Sequence, residues 1–183
     1  MCTPRLLCAP PIVVLFALLV VSCGPVPGVA GGQRDAASRP ADLFSFTSDY
    51  NDYIGLGRSQ SFTPPTARFV VTSLTQRDYV HIMVERAGDY WSIDLAAPTG
   101  HDLAVGTYEH AQDPAGRTDK TALLMVYGEG RACTPSAGSF TIKQIAFDEQ
   151  GRLLALRATF IQRCDLPDAG PLRGTLDYGR PAN

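Results

Sequence analysis

The stretch GSFTIKQIAFDEQGRLLALRATFIQRC, residues 138–164, alternates apolar and polar side chains on both sides of a short turn. Successive side chains on an extended strand point to opposite faces, so this alternation fits a strand with one buried face and not a 3.6-residue helical period. Phe140 and Ile142 share one face, whereas Ile145 and Phe147 fall out of phase with them. A β-bulge is therefore expected near Lys143-Gln144. The tetrad DEQG (148–151) reads as a hairpin loop in which Gly151 supplies a positive φ. The return strand then alternates Leu154, Leu156, Ala158 and Phe160, with Cys164 on that same side.

The same period of two recurs upstream. Ala67, Phe69 and Val71 alternate with Arg68, Val70 and Thr72; Val80, Ile82 and Val84 alternate with Tyr79, His81 and Met83; Trp91, Ile93 and Leu95 alternate with Ser92 and Asp94. The pieces RAGD, APTG and DPAGR between them carry turn residues, and LRGTLDYG (172–179) makes a last strand. No segment has a useful helical period. Eight or nine short strands with Gly- and Pro-rich turns predict an all-β fold: a single antiparallel β-sandwich, or a barrel-like form of it, over residues 43–183.

The amino-terminal end obeys a different logic. Residues Ile12–Val21 are ten consecutive apolar side chains, behind Arg5 and ahead of Ser22. Ten helical residues rise only ~15 Å against a bilayer core of ~30 Å, too short for an ordinary span. A positive end, an apolar middle and a small residue form the order of an export signal. Val20-Val21-Ser22-Cys23 resembles the lipobox of bacterial lipoproteins. That resemblance implies a signal peptide over residues 1–22, cleavage before Cys23, and lipidation of the Cys23 sulfur and amine. The protein is then a bacterial one held at the outer face of the cell membrane, or at the outer membrane, through acyl chains. Without the lipobox, the same segment reads as an ordinary secretory signal or an uncut anchor. Residues 24–42, rich in Gly, Pro and Ala, read as a flexible tether with a reach of roughly 25 Å.

Export decides the other cysteines. Cys2 and Cys8 leave with the signal and Cys23 takes lipid, so Cys133 and Cys164 remain as an even pair in an oxidising setting. They are expected to form a disulfide, the alternative being two buried thiols. Closing so long a loop stabilises a fold by roughly 3–4 kcal/mol in the chain-entropy picture. With no third Cys or clustered His beside them, a metal site is not indicated. The formal charge of −2 is scattered and gives no electrostatic case for nucleic acid.

The search for chemistry returns little. There is no G-x-S-x-G elbow, HExxH or P-loop. His81 lies on a strand, and His101 and His110 lie at turn edges, positions that read as surface or structural. Asp49 and Asp52 sit in a short acidic cluster with Asp42; the order is not that of an EF-hand, because Tyr53 and Ile54 stand at its fifth and sixth places. Asp49 and Asp52 remain a weak calcium candidate, against the plainer reading that they build the turn before YIGLG. No cofactor is called for. Tyr53 and Arg58, beside Asp49 and Asp52, form a candidate ligand surface, since aromatic and Arg side chains are enriched at binding sites.

A second resemblance spans most of residues 48–178. Asp52-Tyr53-Ile54-Gly55-Leu56-Gly57, the Trp91 strand ending in Ala96-Ala97-Pro98, Gly128-Glu129-Gly130-Arg131-Ala132-Cys133, and Cys164 follow in order. Together they resemble an uncharacterised exported β-domain of bacteria. The resemblance implies the fold and the disulfide, and no activity. Gly55, Gly57, Gly128 and Gly130 then relieve crowding at corners, and Trp91 packs in the core with its N–H reaching a partner.

Three functions remain open. One is a non-enzymatic module binding a glycan or an envelope protein, the best fit to a tethered, stapled β-body; an exposed shelf drawn from Tyr50, Tyr53, Tyr79 and Tyr90 is the feature a glycan binder should show. Another is a hydrolase pairing Asp49 or Asp52 with His81 or His101. The third is a purely structural envelope scaffold.

Overall fold

A computed structural model describes residues 42–72, 77–166 and 168–179. The signal peptide (1–22), Cys23 and the tether to residue 41 lie outside the described residues. Among those described there are ten strands: β1 (Leu43–Ser48), β2 (Ser59–Phe62), β3 (Arg68–Thr72), β4 (Tyr79–Arg86), β5 (Asp89–Ala96), β6 (Gly106–Gln112), β7 (Leu123–Gly128), β8 (Ser136–Phe147), β9 (Leu153–Cys164) and β10 (Leu172–Gly179). The one helical piece among them is a 3-10 turn at Pro114–Gly116, opened by Asp113, whose carboxylate accepts from the Ala115 and Gly116 amides. No described helix is long and apolar enough to cross a membrane.

All ten strands belong to one curled sheet, ordered β2-β1-β10-β9-β8-β6-β7-β5-β4-β3. Pairing is antiparallel except where β6 meets β7 in parallel, at Gln112 and Leu123. The all-β, single-domain expectation holds, with ten strands rather than eight or nine and with this parallel contact added. Of the two forms foreseen, the sheet takes the barrel-like one. Its edges approach each other: Arg86 of β4 donates to the Gln60 side chain of β2 at 2.7 Å and lies 4.1 Å over the Phe62 ring.

The inner face gathers the apolar half of every alternation. Val80, Ile82 and Val84 are buried, as are Trp91, Ile93 and Leu95 opposite them. Trp91 packs 4.4 Å from Phe46 and about 6 Å from Phe44 and Phe62, centroid to centroid. Each such side chain contributes roughly 1.5–3 kcal/mol through burial. Trp91 departs from expectation in one respect: its Nε1 is buried without a hydrogen-bond partner. The phenyl rings around it carry no lone pair to accept the proton. Gly128 is what lets the indole lie there, because a Cβ would stand 2.5 Å from Trp91 Cδ2.

The β8–β9 hairpin confirms the bulge: register shifts between Ile142 and Gln144, leaving Lys143 as the extra residue. Gly151 turns the hairpin at φ 78°. A second shift, at Ala146/Phe147, corrects the return strand. It leaves Leu154 out of register, so Leu154 is exposed while Leu156, Ala158, Phe160 and Cys164 face inward. The disulfide joins Cys133, in the loop before β8, to Cys164 at the end of β9, with Cα atoms 5.6 Å apart.

Among the described residues the inner face carries one buried side-chain amide. Gln162 of β9 donates to the Val126 carbonyl at 2.8 Å and accepts the Val126 N–H at 2.6 Å. It thereby supplies β7 with bonds that a neighbouring strand would otherwise give, beside the single parallel contact where the two antiparallel runs meet.

Candidate functional site

The loop between β1 and β2 holds Asp49, Asp52, Tyr53 and Arg58. Asp52 is buried and its carboxylate is fully engaged: it accepts from the Ser48 hydroxyl at 2.7 Å, the Gly55 amide at 2.7 Å and the Ile54 amide at 3.2 Å. This is the turn-building role of an Asp side chain. Gly55 fits because a Cβ there would stand 2.4 Å from Ser48 Cβ. Asp49 is half exposed and pairs with Arg173 of β10 at 2.8 Å. Among the described residues no three His, Cys, Asp or Glu side chains gather as metal ligands do.

Arg58 turns inward rather than standing free. Its Nε donates to the Gly55 carbonyl at 3.0 Å and its terminal nitrogen pairs with Glu129. Arg131 binds the same Glu129 oxygen at 2.8 Å and the Ile54 carbonyl at 2.9 Å, and Gln60 reaches Glu129 Oε1 at 3.2 Å. Burial pushes the Glu129 carboxyl upward, but the hydrogen bonds from Arg131, Arg58 and Gln60, with the Arg58 charge, outweigh it and hold the pKa down to about 2. The cluster locks the β1–β2 loop to the turn after β7. Tyr50 is almost fully exposed and Tyr53 about half, so both remain free to meet a ligand.

The histidines are dispersed. His81 on β4 places Nδ1 2.7 Å from Asp94 Oδ1 of β5, and Tyr79 donates to that same oxygen. The Asp94 bond raises the His81 pKa against the opposing effect of burial. Burial and the Asp94 bond raise Tyr79. His81 is thus tied to Asp94, a carboxylate that sequence reasoning placed only in a strand pattern. His101 lies exposed in a loop. His110 sits inside β6, not at a turn edge, at the β6–β8 irregularity and with φ 55°.

The outer face of the sheet holds a feature that the sequence reading missed. Cross-strand partners there run Ser61–Ser45–Thr175–Thr159–Thr141–Thr107, in register over β2, β1, β10, β9, β8 and β6. Adjacent strands lie about 4.8 Å apart, so the row spans about 24 Å. A parallel row runs Ser59–Thr47–Arg173–Ile161–Ser139. The rows, Thr107 apart, line an open groove of about 640 Å³. Thr107 and Thr141 bond each other at 3.0 Å. The hydroxyls of Ser45, Thr47, Ser59, Ser61, Ser139, Thr159 and Thr175 bond no protein group among the described residues. Their inward neighbours Phe44, Phe62, Phe140, Phe160 and Leu176 are buried and hold the strands in place.

The groove continues into a second hollow bounded by Ser139, Ile161 and Arg173 and by Glu109, His110 and Arg163. Ile161 is exposed at the junction. The local signal was present in FSFT, SQSF, GSFT, RATF and RGTL, each setting a hydroxyl residue between inward-facing positions. Only the register could show that these hydroxyls fall into one row. No protein-family model, curated protein or solved structure matches the chain.

Proposed function

We propose that this protein is a lipid-anchored, extracytoplasmic binding module of the bacterial envelope, without enzymatic activity. The observation that carries the reading is the outer-face groove, where seven hydroxyls bond no protein group among the described residues, on a sheet whose other face is a buried core. Unbonded donors and acceptors on rigid strands recognise a partner at little ordering cost. The lipid on Cys23 and the tether of residues 24–42 would hold this face off the membrane and within reach of glycans or envelope proteins. Asp52 and Arg58 support the loop that carries Tyr50 and Tyr53.

A hydrolase is the second reading, favoured by the Asp94–His81 contact. A carboxylate on Nδ1 orients an imidazole so that Nε2 can act as a base. The two readings separate on the full chain held in detergent micelles. It is applied to an array of envelope glycans and envelope proteins, and assayed on ester, glycoside and peptide substrates. Saturable binding without turnover is expected. Turnover lost in His81→Gln, with the melting temperature kept, would replace the binding reading by the enzymatic one.

A further inference from the structure

We infer that the outer-face groove binds an extended acidic polysaccharide, its sugar hydroxyls on the Ser/Thr row and its carboxylates on Arg173 and Arg163. The inference rests on the binding-module reading and names the ligand class.

The spacing sets the first requirement. Hydroxyls repeat once per strand, about 4.8 Å apart, across six neighbouring strands. A ligand that satisfies them needs donors and acceptors at a similar repeat along its length, which a chain of sugar rings lying across the strands provides. Each hydroxyl both donates and accepts, so it matches a sugar hydroxyl in either sense. The exposed Ile161 offers an apolar contact to a ring face beside the row.

Charge sets the second. Within the first hollow the charged side chain is Arg173; the adjoining one adds Arg163 and Glu109. Arg173 is held by Asp49 in a pair exposed on both sides, 45% and 47%. Exposed pairs are weak, so a ligand carboxylate can take the place of Asp49. The Arg163 side chain has no hydrogen bond or ion pair among the described residues. Two guanidiniums beside a hydroxyl row fit a polyhydroxylated chain that also carries carboxylates, because Arg meets a carboxylate through two parallel N–H donors.

The test is calorimetry on the full chain in detergent micelles with oligogalacturonate, oligomannuronate and a hyaluronate fragment, against a neutral cello-oligosaccharide of equal length. At least one acidic probe is expected to bind saturably, at least tenfold tighter than the neutral one. Thr159→Val with Thr175→Val removes two hydroxyls while keeping the β-branched shape, and should weaken binding at least tenfold with the melting temperature unchanged. Ser45→Ala with Ser61→Ala gives the same reading if the valine pair lowers that temperature. Arg173→Gln with Arg163→Gln should abolish the preference for acid, and Thr72→Val, on β3 outside the groove, should change nothing. Failure of all three acidic probes, no preference over the neutral chain, or binding undiminished in the hydroxyl variants overturns the inference. The binding-module reading falls only if the envelope array is blank as well.

Discussion

Glu129 shows how a side chain of no sequence distinction becomes a keystone. Three donors converge on it: Arg58 and Gln60 come from one distant segment, and Arg131 belongs to its own turn. Arg58 was legible as a residue of consequence in the DYIGLGR stretch; its partner, 71 positions away, was not, because nothing local fixes that contact. The turn role of Asp52, one of the readings open to it, was legible, since an Asx turn is made within a few residues. The Glu129 carboxyl ordinarily titrates near 4.5 and is held in the fold down to about 2. A depressed pKa contributes stability that is present above the unfolded value and lost as pH falls through the folded one. Glu129→Gln should therefore lower stability by about 1–3 kcal/mol at neutral pH, as the loss of hydrogen bonds to a charged group does. Melting temperatures of the two proteins, followed from pH 7 to pH 2, should differ most above about pH 4.5 and converge toward pH 2.

At the scale of elements, periodicity carried most of the fold. The β4, β5 and β8 alternations read directly as inward and outward faces, and the phase slip before Ile145 announced the bulge at Lys143. Leu154 escaped because the second shift follows from pairing with β8, not from β9 alone. The hydroxyl row escaped for the same reason: strand order sets it, and β10 lies between β1 and β9 although it is last in sequence. Gln162 is the element-scale device most open to test. Its amide satisfies both backbone groups of Val126 inside the core. Gln162→Leu keeps the apolar pattern yet leaves a buried N–H and C=O without partners. Each orphaned group costs about 1–3 kcal/mol, so a loss of about 2–6 kcal/mol is expected. Urea unfolding should show a lower midpoint with an unchanged slope, the signature of lost stability rather than altered compactness. A midpoint equal to the wild type would show that β7 needs no bond from β9.

For the whole molecule, the proposal joins two physically separate devices: a curled sheet, stapled by one disulfide, that presents a groove, and acyl chains that fix its location. The sheet requires no membrane to bury its apolar face, since its core is internal. Retention at a bilayer must then come from Cys23 in this reading. One acyl chain binds only marginally at roughly 0.8 kcal/mol per buried CH₂, whereas two or three hold firmly. Expressed in a bacterial host, the wild-type chain should sediment with membranes and have the mass of residues 23–183 plus acyl groups. Cys23→Ala should lack the acyl mass and retain residues 1–22, because the cut depends on the modified sulfur. The folded body should be untouched, with the Cys133–Cys164 bridge formed and the same unfolding midpoint in both proteins. An unmodified thiol at position 23 in the wild-type protein would remove the anchor from the proposal and leave the groove, whose lining residues run from Ser45 to Thr175, to be explained in a protein free to diffuse.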